Sequence, residues 1–411
     1  MLLNPETLAL IVVVLIYAAI IVVPRMRSVI SIVGVFLMAY VVGVVHLSDL
    51  TSEVLIKPLI ILFGLMAVGG LLKESGFFSY LVRLAIKLSR GRKDLFFFTI
   101  CASTCLLSAV IGNTLAAYFM VLATIPSLRE LNVDPKPYVI SEIVLANIAG
   151  TATLVGEPSN IVIGSWLLFS FNLFVARLGW IVTICTALSI LLLFHLFRRR
   201  LDDIPNEVDL NLDKEHRILM MGGIASVIAS TVLLFSGVEP VAALSVLAMA
   251  ILFFGGKRTE KIMANIEWST FIYVGSIVLI ARGLQNAGAT VELARLISSW
   301  KVDLFLSSLL FSFLLSTFLD DLQTLALMVP TMANLIPIGD SPPWWALIMG
   351  LGFGSAASSI GSYTTIISLQ AARREGCKIS RFEYLKNGLL ISVVTLLLTV
   401  ILFLLGERVV P

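Results

Sequence analysis

The sequence predicts an all-α polytopic membrane protein made of two inverted repeats. Each repeat holds about five transmembrane helices plus one re-entrant hairpin, with broken helices at the centre. Three observations predict this. Apolar runs of spanning length recur from one end of the 411 residues to the other. Polar residues and helix weakeners stand inside four of those runs. The two halves read alike in order.

Composition sets the class. The chain is 58% hydrophobic and 13% charged, where a soluble domain is about 25% charged. Its mean hydropathy is +1.01. A net charge of +3, with the basic residues in loops between apolar runs, gives no basis for a nucleic-acid partner. Cys101, Cys105, Cys185 and Cys377 lie in or beside apolar segments and form neither a disulfide framework nor a zinc pattern. His46, His195 and His216 are far apart, and no P-loop occurs. With no nucleophile–base pair or metal cluster, the chain reads as a non-enzyme without a cofactor.

Spans are expected at 7–23, 28–45, 58–72, 137–170, 178–197, 218–236, 239–255, 265–284, 343–372 and 387–405. The first lacks a basic flank and a cleavage site, so it reads as a retained helix. Stretches 95–126 and 303–338 carry Gly112-Asn113-Thr114 and Asp320-Asp321 at their middles. Each arm is short for a full span, so each stretch reads as a hairpin. Residues 76–90 alternate apolar and basic side chains at helical spacing, as an interfacial helix does, and 289–300 is the expected counterpart.

With both hairpins and an outside amino terminus, most of the 29 Lys and Arg, Arg25 and Arg27 among them, fall in inside loops. Only Lys57, Arg177, Arg295, Lys301 and Arg408 fall outside, and Arg282 lies within a helix. This places the polar segment 198–217 in the cytoplasm of a plasma-membrane, multi-pass protein. That linker separates the first repeat, 1–197, from the second, 218–411.

The repeats align in three places. Gly76 matches Gly288, Ser108–Val121 matches Ser316–Val329, and Asn147–Ile161 matches Gly352–Ile366, at offsets of 212, 208 and 205. An odd number of crossings per half inverts the second copy. Inverted repeats with interrupted helices at the midplane are a transporter design.

The stretch "NIAGTATLVGEPSNIVIG", Asn147–Gly164, shows the design locally. Gly150, Gly156 and Pro158 interrupt a helix, while Thr151, Thr153, Ser159 and Asn160 satisfy the freed backbone or face a solute. The second copy carries Ser355, Ser358, Ser359, Gly361, Ser362, Thr364 and Thr365. Small residues also serve close helix packing, but their paired occurrence favours interruption. Asp320 and Asp321 at a hairpin tip are candidates for a sodium ion or a proton, because intramembrane carboxylates are costly. Glu157 carries the same reading, whereas Glu142 and Glu74 read as structural. Arg282 reads as snorkelling and Cys101/Cys105 as packing.

"NIAGTATLVGEPSNIVIG" resembles the signature of the ion-transporter superfamily, in its arsenite-permease, sodium–proton antiporter and P-protein branch. That branch is related to divalent anion–sodium symporters and citrate transporters. "LSTFLDDLQTLALMVP" and "GFGSAASSIGSYTTIISLQAARREG" resemble its second-half hairpin and broken helix. The resemblance implies a secondary active transporter with alternating access. By match to the motifs, the site comprises Asn113, Thr114, Thr151, Thr153, Glu157, Ser159 and Asn160 from one half. Asp320, Asp321, Ser359, Ser362, Thr364 and Thr365 come from the other.

The chain departs from the pattern at Gly112-Asn113, at Asp321, and at Ser362-Tyr363-Thr364-Thr365, which lacks a side-chain amide. The expected solute is arsenite or another inorganic anion, or sodium exchanged for protons. A citrate or dicarboxylate symporter is the alternative, and a passive channel the reading from a different class. Expected partners are the small ion, the lipid bilayer, a second copy in a homodimer and, for an arsenite pump, a soluble ATPase.

Overall fold

A computed structural model describes residues 4–204, 214–299 and 302–406. The outermost residues of both repeats, the middle of the linker, Lys301 and Arg408 lie outside the described residues. Every regular element among the described residues is helical. Seven helices are long and apolar enough to cross a membrane, or up to nine if each bent pair counts as one span. The protein is therefore an integral, multi-pass membrane protein.

Burial is arranged for lipid outside and polar groups inside. Val14, Leu191, Ile228, Phe253 and Leu397 are exposed on the outer faces. The helix Lys136–Gly150, with Ser141, Glu142 and Asn147, is buried almost throughout. Such a distribution suits hydrocarbon as the outer solvent, since polar side chains there would go unsatisfied.

Four pairs of helices make the centre. The first hairpin joins Lys93–Ile111 to Asn113–Glu130 at Gly112, whose φ of +94° favours glycine. The first broken helix runs Lys136–Gly150, breaks, and resumes at Pro158–Leu167. The second hairpin joins Leu304–Phe318 to Asp321–Met332. The second broken helix joins Pro342–Ala357 to Tyr363–Arg374.

Each break follows from local chemistry. Pro158 starts a helix well because it has no N–H to lose. Asp320 caps Asp321–Met332 by accepting from the Leu322 amide, and Gln323 bonds back to the Asp320 amide.

The boundaries differ from expectation in instructive ways. Lys93–Ile111 has 19 mostly apolar residues, so this arm is long enough to cross by itself. The expectation of two short arms in the first hairpin is corrected there. The segment expected at 239–255 ends at Phe254, and the chain then turns by 102° into Gly256–Ala264. The linker's last residues, from Lys214, already belong to the helix Lys214–Phe235.

The expected interfacial segments are helices Phe77–Ser89 and Ala289–Ser299. Each follows a left-handed glycine, Gly76 (φ +73°) and Gly288 (φ +75°), the pair matched between the halves. The first packs on both arms of the first hairpin and the second on Asp321–Met332.

The halves interlock at the centre. Asn113–Glu130 packs on Tyr363–Arg374, and Asp321–Met332 packs on Pro158–Leu167. Each hairpin thus meets the broken helix of the other half. The first segments of the two broken helices, Lys136–Gly150 and Pro342–Ala357, pack on each other between them.

Candidate functional site

The two breaks are built alike. Ser108 Oγ donates to the Ala146 carbonyl at 2.5 Å, and Thr153 Oγ1 to the Ala109 carbonyl at 2.6 Å. In the second half Ser316 Oγ donates to the Leu351 carbonyl at 2.9 Å, and Ser358 Oγ to the Thr317 carbonyl at 2.6 Å. These are the residues the sequence alignment pairs, so the same two bonds tie each broken helix to its own hairpin.

Glycine makes room at both places. A Cβ on Gly156 would stand 2.2 Å from the Gly150 carbonyl oxygen, and one on Gly361 2.3 Å from that of Ser316. The amide of Asn113 donates to the Gly156 carbonyl at 2.7 Å, pinning the first hairpin tip to the first break. Gly156→Ala is expected to cost about 1–3 kcal/mol, as overpacking does, with a lowered melting temperature in detergent as the readout. An unchanged melting temperature would show that the break relaxes freely.

In the first break, the Asn160 side-chain amide donates to the carbonyls of Gly150 (3.1 Å) and Thr153 (2.9 Å). Those groups lost their helical partners when the chain unwound. The second break has Thr365 at the matching place, and Asn147 supplies the amide, donating Nδ2 to Thr365 Oγ1 at 3.0 Å. The missing amide of the second motif is thus met by an amide from the first half.

Asn147 is the hub between halves. Its Oδ1 accepts from Asn113 Nδ2 (3.2 Å) and Ser362 Oγ (3.3 Å). Thr114 and Thr364 hydroxyls meet at 2.7 Å across the same junction. Thr151 is buried, bonds to the Asn147 carbonyl, and fills the space left by Gly352. Ser159 is buried beside Glu157. Ser359 is half-buried, while its neighbour Ser358 makes the bonds that hold the break.

Three carboxyl groups, Glu157, Asp320 and Asp321, are buried here, and they are not equivalent. Asp320 accepts from the Leu322 amide (3.1 Å), the Tyr363 amide (3.1 Å) and the Tyr273 hydroxyl (3.2 Å). Arg27 stands 3.9 Å from it. Asp321 lies within hydrogen-bonding reach of Asp320 and, from the other half, of Glu157. Glu157 precedes the first turn of Pro158–Leu167 but does not cap it. Its Oε1 accepts from Asn113 Nδ2 at 3.0 Å, and its Oε2 has no partner. Among the described residues no group of three or more His, Cys, Asp or Glu is arranged to hold a metal ion.

Arg27 is the main residue that sequence reasoning missed. It was expected in an inside loop, but it is 3% exposed. It donates to Thr270 Oγ1 at 2.7 Å and lies between the rings of Tyr273 and Tyr363. The Tyr363 hydroxyl bonds to Glu267. Charge counting cannot separate an arginine that turns inward from one in water, because both sit between apolar runs. Asn147 was visible, as the first residue of the quoted motif. Arg282, away from the cluster, stacks over Trp166 and bonds to Gln285.

A cavity of about 370 Å³ opens beside the junction. Its lining includes Thr114, Tyr363 and Glu267 together with Lys73, Asn265 and Arg374.

Comparison with known proteins agrees with this architecture. The family model described as "Citrate transporter" matches residues 16–350. An "uncharacterized transporter" of Mycobacterium tuberculosis is 28% identical over 360 residues, covering 83% of this chain and 84% of that protein. The P protein of Sus scrofa is 24% identical over 436 residues, covering 82% of this chain and 52% of that protein. The solved Alcanivorax borkumensis YdaH transporter superposes with a TM-score of 0.59 at 15% identity, covering 86% of each chain, a likeness of fold. With most of its length matched by one family model and its helices arranged as in a solved transporter, the chain belongs to the citrate transporter family of membrane transporters.

Proposed function

We propose that this protein is a secondary active transporter of a small carboxylate anion of the citrate class, moved with a coupling proton or sodium ion. The observation that carries the reading is the Glu157–Asp321 pair. Two carboxyls at that range do not both stay charged without a proton or a cation between them. Arg27 makes its direct contacts with Asp320, Thr270 and two tyrosines, and its charge reaches Asp321 only through space.

Anion recognition has its own supports. Four helices begin at this centre, Asn113–Glu130, Pro158–Leu167, Asp321–Met332 and Tyr363–Arg374. Their amino-terminal ends carry positive partial charge. Hydroxyls and amides of Thr114, Ser362, Thr364 and Asn147 surround the junction. Lys73 and Arg374 stand along the cavity that leads there, on the side the charge count assigns to the cytoplasm. In this reading the two halves are inverted copies, and their hairpin tips and breaks form one alternating-access site.

Sodium–proton exchange is the second reading. It is favoured by the acidic excess of three carboxyls over one arginine. Arsenite ranks lower, since the cysteines Cys101, Cys105, Cys185 and Cys377 make no part of the polar junction.

Purified protein in proteoliposomes separates the readings. Citrate accumulation driven by an imposed proton or sodium gradient is the expected result. Sodium-driven pH change without citrate would replace it with exchange, and flux that never accumulates solute would make the protein a channel. Lys73→Gln with Arg374→Gln is expected to raise KM for the anion by about 3- to 10-fold, more at low salt, because cavity charge steers anions. An unchanged, salt-independent KM would remove these two residues from the anion path.

A further inference from the structure

We propose that Glu142 is a second proton-binding site, apart from the central cluster, and that it exchanges its proton through Tyr138. The inference deepens the coupled-transport reading and rests on it only for its role in the cycle.

Glu142 and Tyr138 lie one turn apart on Lys136–Gly150, and both are 0% exposed. Glu142 Oε1 accepts from Thr124 Oγ1 at 2.6 Å, but its Oε2 has no partner. The Tyr138 hydroxyl has none either. Both are bare polar groups one turn apart on a buried helix, where polar groups are normally paired. A purely structural acid would be expected to use both oxygens. A carboxylate with one bare oxygen and no cation is too costly to leave charged in a dry interior, so in this conformation Glu142 holds a proton.

The surroundings supply no alternative counter-charge. Cys101 lies near both groups on Lys93–Ile111, with Cys105 one turn on. Asn113–Glu130 contributes Thr124. Cys185, on Trp180–Phe197, is engaged with Thr395 and Thr399. Tyr384, on the last helix, is engaged with Thr365 and the Ala356 carbonyl. Pro342–Ala357 carries no ionisable side chain. On Tyr363–Arg374, Tyr363 bonds Glu267, and Arg373 and Arg374 are exposed. Among the described residues no ion pair reaches Glu142.

The route we assign runs on one side, where the charge of the exposed carboxylates Asp134, Asp202 and Asp203 is felt at the Tyr138 hydroxyl. They form an acidic surface that attracts protons, with Tyr138 as the step between that surface and Glu142. Because Glu142, Thr124 and Cys101 sit on three different helices of the hairpin and broken helix, relative movement of those helices changes the solvation of Glu142. Movement of that kind converts a held proton into a carried one.

Infrared spectra of the purified full-length protein in lipid vesicles, titrated from acidic to alkaline pH, test this. The expected result is a protonated-carboxyl band that titrates in the wild type and is missing in Glu142→Gln. The band persists in Glu157→Gln and Asp321→Asn. Tyr138→Phe, which removes no hydrogen bond, is expected to slow hydrogen–deuterium exchange of that band several-fold, and it tests the route even where Glu142→Gln does not fold. A Glu142 band that never titrates, or one that exchanges equally fast in Tyr138→Phe, would overturn the proposal. The readout needs no transported solute, so its outcome is independent of whether citrate is the substrate.

Discussion

Asp321→Asn and Glu157→Gln are each expected to lower gradient-driven accumulation by about 10- to 100-fold, a coupling free energy of the usual size, with the protein still inserted and folded. The argument is electrostatic. The two carboxyls belong to different halves and meet where a hairpin tip of one reaches the break of the other. In the proposed reading a proton or sodium ion bound between them joins the halves, and its release leaves a repulsive pair that favours their separation. The coupling ion would then bias a two-state element, as coupling requires. Making one member a neutral amide gives the pair a permanent hydrogen bond, so the cation loses its differential hold on the two states. Downhill exchange of solute across the membrane is expected to survive where uphill accumulation fails. Wild-type accumulation in both variants would remove the pair from the mechanism.

The acidic tip was legible in the sequence, but the division of labour within it was not. Asp320-Asp321 reads as one dyad. Adjacent residues at a helix start, however, point in different directions, and the cap position takes one of them. Asp320 turns back to cap Asp321–Met332 and faces Arg27 and Tyr273. Asp321 enters the first turn and faces the other half. The broken helices were legible for a related reason. Gly150, Gly156 and Pro158 change the backbone wherever they stand, so their effect is local. The bonds among Asn113, Asn147, Glu157 and Ser362 depend on tertiary docking and left no local mark. Glu142 looked structural because it stands near a loop in the sequence. Its burial comes from the helices packed around Lys136–Gly150, which only the fold assembles.

Arg27→Met is expected to cost about 3–5 kcal/mol of stability, the penalty for leaving a buried charge without its partner. The Asp320 carboxylate would keep its amide donors and Tyr273 but lose the guanidinium 3.9 Å from it. Arg27→Lys is expected to recover only part of the loss. A lysine ammonium lacks the planar face that packs between Tyr273 and Tyr363, and it cannot reach Thr270 and Asp320 with the same fork. The double change Arg27→Met with Asp320→Asn is expected to be more stable than Arg27→Met alone, because it removes the orphaned charge. Melting temperatures of the four proteins in detergent make the cycle. Additive losses in the double variant would show that the two groups do not sense each other. A large restoration would mean that Arg27 neutralises the second hairpin tip, leaving Glu157 and Asp321 as the carboxyls free to take the coupling ion.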